Sequence, residues 1–170
     1  VWRKLITLAD QHNDPGRFTA LIGYEWTGPF NLHRVVVFKD NASKTGQITP
    51  ISAYENSDPE DLWGFLGEYE IATGGEVLAI PHNSNRSSGV MFALQDAKGN
   101  SLSKQYATTR SRWEPLLEVT QIKGDSETHP VLSPKDEFAD FETMAEENSS
   151  PKVIASSRSR GYTDYENWYE

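Results

Sequence analysis

The stretch that decides the fold is Phe18–Lys39, FTALIGYEWTGPFNLHRVVVFK. Its first part, Phe18–Trp26, contains a short, bounded run of apolar residues that is typical of a buried strand. Its last part, Arg34–Lys39, contains three consecutive valines followed by a phenylalanine and predicts a second strand. Strands that are apolar over their whole length are typical of sheets with helices on both faces.

Predicted helices and strands alternate on both sides of this stretch. The spacing of apolar residues predicts a helix over Val1–Gln11, and the capping sequence Ser57–Asp61 begins a second helix that ends at Gly74-Gly75. The remaining predicted elements are strands over Glu76–Ile80, Pro115–Ile122 and Lys152–Ala155, a helix over Pro134–Glu147, and loops over Asp40–Ile51 and Ser84–Arg112. This order favours an α/β fold with a largely parallel sheet.

The composition excludes several classes of protein and site. A length of 170 residues suits one domain. The absence of cysteine excludes a disulfide framework, a thiol nucleophile and a cysteine-ligated metal site. With 16 Lys+Arg against 25 Asp+Glu the net charge is −9, which argues against a nucleic-acid partner. No apolar run approaches the roughly 18 residues of a membrane helix.

The ends of the sequence predict a piece of a longer protein. The chain opens at Val1 without an initiator methionine, carries no signal-peptide pattern and enters a helical pattern at once. We therefore expect an internal fragment, and the compartment stays open between cytoplasm and periplasm.

Polar and titratable residues gather near the ends of the predicted strands. They are Glu25, His33, Arg34, His82, Asn83, Asn85, Glu118 and the run Lys123–His129. In parallel α/β folds ligands bind at the carboxyl ends of the strands, so this placement predicts a site.

Each candidate also has a structural interpretation. A lone histidine such as His82 is more often a hydrogen-bonded structural residue, and the Lys123–His129 run suits a solvated loop. Glu25, between two aromatic residues, requires a cation, a metal or an exposed position. Together, however, carboxylates and imidazoles without cysteine favour Zn²⁺, Mn²⁺ or Fe²⁺ in a hydrolytic site. Nucleotide-loop, serine-hydrolase and HExxH motifs are absent from the sequence.

Eight motifs in order resemble a known family. They are Phe18–Thr27, Leu32–Phe38, Asp58–Trp63, Ile80–Asn85, Gly89–Phe92, Glu114–Val119, Lys123–Glu127 and Asp136–Glu142. Together they resemble a bacterial family known only as a domain of unknown function, which looks like a divergent branch of the PHP (polymerase and histidinol phosphatase) superfamily of metal-dependent phosphoesterases. The resemblance runs from about Trp2 to Glu142. It implies a distorted (β/α)7 barrel, incomplete in this chain, with its central part over residues 1–155 and a tail over 156–170.

The resemblance also implies a site with two or three metal ions. The glutamate of the superfamily's Gly-x-Glu motif corresponds to Glu25 in this resemblance. The histidine with which another strand of the superfamily ends corresponds to His82. A further ligand maps onto Asp125, Glu127 or His129, of which His129 is the better chemical match. The superfamily's His-x-His, Thr-Asp-His and Asp-x-His motifs do not occur in this chain, so we expect it to bind metal poorly and to be inactive alone.

The function that these patterns predict is a metal-dependent hydrolase, a phosphoesterase with a small-molecule substrate. Metal ligation is assigned to Glu25, His82 and His129, and catalytic support to Glu118, Asp125 and Glu127. Substrate binding is assigned to His33, Arg34, Asn83, Asn85 and Lys123. The alternative is a non-catalytic ligand-binding or interaction module on the same scaffold. Self-association through exposed strand edges is a further expectation.

Overall fold

Three antiparallel strands form the main sheet of the computed structural model, which describes residues 1–87, 89–121, 124–125 and 133–139. Strand β1 (Ile22–Trp26) pairs with β2 (Arg34–Phe38), and β2 pairs with β3 (Val77–Pro81). Strand β2 is therefore the central strand, and β1 and β3 are its neighbours on either side. A small antiparallel pair, β4 (Thr120–Gln121) and β5 (Gly124–Asp125), lies later in the chain.

Four α-helices accompany the sheet in the described part of the chain: α1 (Trp2–His12), α2 (Ala42–Thr45), α3 (Pro59–Thr73) and α4 (Lys104–Trp113). Short 3-10 turns cover Pro29–Asn31, Ser84–Arg86 and Val90–Phe92. The predicted start and end of helix α3 are confirmed. The Asp58 side chain accepts a hydrogen bond from the backbone N–H of Glu60, and Gly74 ends the helix in the left-handed conformation. Within the described residues, no helix has both the length and the apolar character of a membrane span.

The predicted parallel sheet and (β/α)7 barrel are wrong, because both pairings in the main sheet are antiparallel. The connection between β1 and β2 contains only the short Pro29–Asn31 turn, whereas a parallel crossover needs a dozen or more residues. Between β2 and β3, helix α3 returns the chain to the end of the sheet at which β2 finished, so that Val77 pairs with Phe38. The described residues form a mixed α/β structure around an antiparallel sheet.

Several element boundaries also differ from the prediction. Helix α2 lies within a segment predicted as a loop, and helix α4 lies within another except for its last residue, Trp113. Of the predicted strand Pro115–Ile122 only Thr120–Gln121 is a strand in the described residues. The described residues of the predicted helix Pro134–Glu147 form turns. The predicted strand Lys152–Ala155 and the proposed domain boundary after residue 155 lie outside the described residues.

One face of the main sheet packs against α1 and α3 to form the core. The sheet contributes Ile22, Trp26, Val36, Phe38, Val77 and Ala79, and the helices contribute Ile6, Leu62, Leu66 and Tyr69. The opposite face of the sheet carries residues such as Glu25 and Val35, which are exposed. Since side chains alternate between the faces of a strand, the core on one face fixes which residues point to the other.

Asp40 holds together the end of the sheet at which β2 finishes and β3 begins. Its carboxylate accepts hydrogen bonds from the Tyr69 hydroxyl (3.0 Å) and from the backbone N–H of Glu76 (2.6 Å), and it lies 3.1 Å from Lys44 Nζ. Burial alone would raise the pKa of Asp40, but the hydrogen bonds to its ionised form outweigh burial and hold the pKa below its ordinary value.

Replacing Asp40 with asparagine is expected to lower the stability by about 2 kcal/mol at pH 7 and to flatten its acid dependence. The folded-state pKa of Asp40 is depressed, so its contribution is fully present above the unfolded carboxyl pKa of about 3.9 and is lost as the pH falls through the lower folded value. Urea midpoints measured from pH 7 to pH 2 test this. The exposed-pair variant Asp14→Asn is the control, and equally steep acid profiles for wild type and Asp40→Asn would contradict the assignment.

Candidate metal centre

The carboxyl ends of β1 and β3 and the amino end of β2 lie together at one end of the main sheet, opposite to the end that contains Asp40. In the antiparallel register Trp26 pairs with Arg34, and Arg34 pairs with Pro81. The carboxyl ends of β1 and β3 therefore lie beside the amino end of β2. All three side chains of this row are buried, so the row belongs to the core face of the sheet.

Each residue of that row has a titratable neighbour in the chain, and these three neighbours converge. One carboxylate oxygen, Glu25 Oε1, lies 3.1 Å from His33 Nδ1 and 3.1 Å from His82 Nε2. The two imidazole rings meet edge to face with their centroids 5.8 Å apart. One ligand atom from each of the three residues can be chosen so that all lie within 4.8 Å of one another. We call Glu25, His33 and His82 the Glu25 cluster.

The Glu25 cluster is open on one side. The Glu25 side chain is 49% exposed, whereas the side chains of His33 and His82 are 21% and 10% exposed. Ligands about 2.1 Å from a tetrahedral Zn²⁺ lie about 3.4 Å apart, which is close to the two 3.1 Å separations here. Two imidazoles and one carboxylate with an open side therefore fit a divalent ion of the zinc, manganese or iron class.

Arg34 faces the core rather than the Glu25 cluster. Its side chain is 1% exposed, and its Nε donates to Glu114 Oε1 (2.9 Å), whose side chain is 2% exposed. Burial lowers the pKa of Arg34, and the charge and hydrogen bond of Glu114 oppose that shift. The structure thus gives the Arg34 guanidinium a carboxylate partner inside the protein, and its assignment to substrate binding stays a prediction.

The turn before His33 is strained. Phe30 and Asn31 both have positive φ angles, 57° and 61°, in the left-handed region that few residues other than glycine adopt. The Asn31 side-chain amide donates to the backbone carbonyl of Arg86 (2.7 Å), in the 3-10 turn that follows His82. This hydrogen bond ties together the two segments that carry the histidines of the cluster.

The remaining predicted site residues are Asn83, Asn85, Glu118, Lys123, Asp125, Glu127 and His129. Asn83 is buried directly after His82, and the backbone of Asn85 lies in the 3-10 turn Ser84–Arg86. The backbone N–H of Glu118 donates to the carbonyl of Pro81 (3.0 Å), which places Glu118 beside the end of β3. The backbone of Asp125 lies in β5. The side chains of Asn85 and Asp125, and all of Lys123, Glu127 and His129, lie outside what the structure describes.

Sequence reasoning missed two features of the site. His33 was assigned to substrate binding, but the structure places it as the third member of the Glu25 cluster. The sequence does contain a signal for this position. When two neighbouring strands run antiparallel, a histidine directly before one strand lies at the same end of the sheet as a histidine directly after the other. Glu114 was not singled out, and no sequence pattern distinguishes its burial from that of other acidic residues such as Glu118.

A model of a protein family of unknown function (DUF3604) matches residues 1–165. The chain belongs to this family. The match confirms the predicted membership in a family of unknown function, and it covers both the Glu25 cluster and the predicted residues that the structure does not describe. No curated protein and no solved structure matches this DUF3604 chain.

Proposed function

We propose that this DUF3604 chain is part of a metal-dependent hydrolase that acts on a phosphoester. The single observation that carries the proposal is the convergence of Glu25, His33 and His82 at one end of the sheet. A site with three protein ligands and an open position is typical of catalytic rather than structural metal centres. The open side at Glu25 supports access for a substrate.

The resemblance to the PHP superfamily supports the same chemistry through two residues. Glu25 and His82 are the positions onto which that resemblance maps metal ligands, and they share one of the two 3.1 Å contacts of the cluster. A divalent ion bound there would acidify water and polarise a phosphoryl oxygen. The residues of the chain itself would orient the ion and bind the anionic substrate.

Arg86 is the described cation best suited to bind a phosphate oxygen near the Glu25 cluster. It lies in the turn that follows His82, and its buried Nε atom has no hydrogen-bond partner among the described residues. Arg34 and Arg110, by contrast, both contact Glu114. A half-buried guanidinium with no carboxylate partner in the described part of the chain favours an anionic ligand.

The proposal predicts that the chain binds one divalent ion more weakly than a complete four-ligand site would, with a Kd of the order of 1 µM. Structural Zn²⁺ sites with four ligands bind with about 10–16 kcal/mol, or about 3 kcal/mol per ligand, so three ligands supply about 9 kcal/mol. Titration calorimetry with Zn²⁺, Mn²⁺ and Co²⁺ measures affinity and stoichiometry. Two or more tightly held ions per chain would contradict this partial site, and no binding of any of the three ions would overturn the metal centre.

The hydrolytic part of the proposal needs an assay on the full-length protein. We expect metal-dependent turnover of p-nitrophenyl phosphate by the full-length protein and none by the 170-residue chain alone. The Arg86→Gln variant separates substrate binding from metal binding, because it should raise KM and leave metal affinity unchanged. Metal binding by the full-length protein without hydrolysis of phosphomonoesters or phosphodiesters would favour the non-catalytic module.

A further inference from the structure

We propose that the buried Arg34–Glu114 ion pair is a positioning device that holds the Glu25 cluster in shape. The inference rests on the proposed metal site. It gives Arg34 the role of holding the ligands of that site in position instead of contacting substrate. It concerns Arg34, which lies on the core face of the sheet next to His33 in the chain, and its buried partner Glu114.

The first argument is the row in which Arg34 lies. Arg34 is the middle residue of the Trp26–Arg34–Pro81 row, and each member of the row is bonded in the chain to one member of the Glu25 cluster. Neighbouring residues of a strand point to opposite faces. The buried row thus lies on the face of the sheet opposite to Glu25, and Arg34 is its middle residue.

The second argument is the pair of hydrogen bonds that the Arg34 guanidinium donates. Arg34 Nε donates to Glu114 Oε1 (2.9 Å), and Arg34 Nη1 donates to the backbone carbonyl of Leu32 (2.7 Å). Leu32 precedes His33 and Arg34 follows it, so one rigid guanidinium fixes the backbone on both sides of this histidine. A planar group with donors in a fixed geometry suits that task better than a flexible ammonium.

The third argument is the rigidity of Glu114 itself. Glu114 caps the end of α4 and also accepts a hydrogen bond from Trp63 Nε1 in α3 (2.9 Å). Its second oxygen lies 3.2 Å from an Arg110 nitrogen, and that nitrogen donates to the carbonyl of Met91 (2.9 Å). The ion pair therefore connects the start of β2 to both helices. The Trp63 hydrogen bond to Oε1 and the ionic contact of Oε2 with Arg110 hold the Glu114 carboxylate, and this fixes Arg34 in turn.

The decisive variant is Arg34→Met combined with Glu114→Gln. It removes both charges of the pair, keeps an acceptor for Trp63 Nε1, and avoids leaving one charge buried without its partner. We expect the double variant to keep a cooperative urea transition and to bind Co²⁺ about 10–100-fold more weakly than wild type. The visible spectrum of the Co²⁺-saturated variant should differ from that of wild type, because His33 is displaced.

Two companion variants separate positioning from general stability. Ile6→Ala creates a cavity in the core through α1, away from Arg34, and should leave the Co²⁺ affinity and spectrum unchanged. Arg34→Lys keeps the charge and loses the paired donors, so it should also weaken Co²⁺ binding. If the double variant does not fold, the lysine variant decides the question. Wild-type affinity and spectrum in the folded double variant, or in the lysine variant, overturn the inference.

A measurement without metal distinguishes failure of this inference from failure of the metal site. Imidazole ¹H–¹⁵N spectra of the metal-free chain should show shifted His33 and His82 resonances in Arg34→Lys, with those of His12 unchanged. If the His33 and His82 resonances are unshifted in Arg34→Lys, the positioning role is overturned, whether or not the wild type binds metal. Shifted histidines together with a wild type that binds no metal overturn the proposed metal site and retain the positioning role.

Discussion

Replacing His82 with alanine is expected to weaken divalent metal binding by about 100-fold. The variant removes one of three ligands, and about 3 kcal/mol per ligand corresponds to about two factors of ten in Kd. His82 is the most buried member of the Glu25 cluster, so water replaces its imidazole poorly. Calorimetric titration with Zn²⁺ on wild type and variant measures the change.

The chain contains a matched control for this substitution. His12 lies in the last turn of α1, is exposed, and is not part of the cluster. His12→Ala should therefore bind Zn²⁺ as wild type does. Equal affinities for His82→Ala and wild type would show that the convergence of the three side chains does not hold an ion.

Replacing Arg34 with methionine is expected to destabilise the fold by about 3–5 kcal/mol. The variant leaves the Glu114 carboxylate, which is 2% exposed, with Arg110 as its only remaining cation among the described residues. Removing one partner of a buried pair leaves an incompletely compensated charge, and this costs far more than loss of an exposed pair. Urea denaturation monitored by tryptophan fluorescence and by circular dichroism measures the loss.

The exposed pair Arg17–Asp14 provides the comparison. The Arg17 side chain is 86% exposed, so Arg17→Met should change the free energy of unfolding by less than about 1 kcal/mol. A change for Arg34→Met as small as that for Arg17→Met would mean that the pair carries little of the stability. Addition of Glu114→Gln to Arg34→Met should recover most of the loss, since no full negative charge then remains buried.

Local signals in the sequence predicted the main elements but not their direction. The apolar run before Trp26, the valines of β2 and the capping sequence at Asp58 each specify an element through neighbouring residues, and each element forms near its predicted bounds. Strand direction depends on where the connecting segments carry the chain. Asp40 brings the end of α3 to the end of β2 through contacts with residues distant in sequence, and a single sequence does not display such contacts.

The candidate site was predicted in part, although for a reason that does not hold. Glu25, which closes one strand, and His82, which follows another, were placed in one site because these strands were expected to be parallel, and the resemblance maps metal ligands onto both. The two residues do lie together, because β1 and β3 both finish at that end of the sheet. His33 joins them only because β2 runs the other way and begins there. The predicted convergence with the Asp125–His129 loop stays a prediction, since those side chains lie outside the described residues.

From the antiparallel arrangement we expect a particular order in which the Glu25 cluster assembles during folding. Glu25 and His33 are separated by 8 residues and belong to one hairpin, whereas Glu25 and His82 are separated by 57. Closing the longer loop costs about 2 kcal/mol more conformational entropy, so we expect the hairpin to form first and β3 to dock afterwards. A bound cation would then leave the rate of hairpin formation unchanged and would slow the dissociation of β3 from the hairpin.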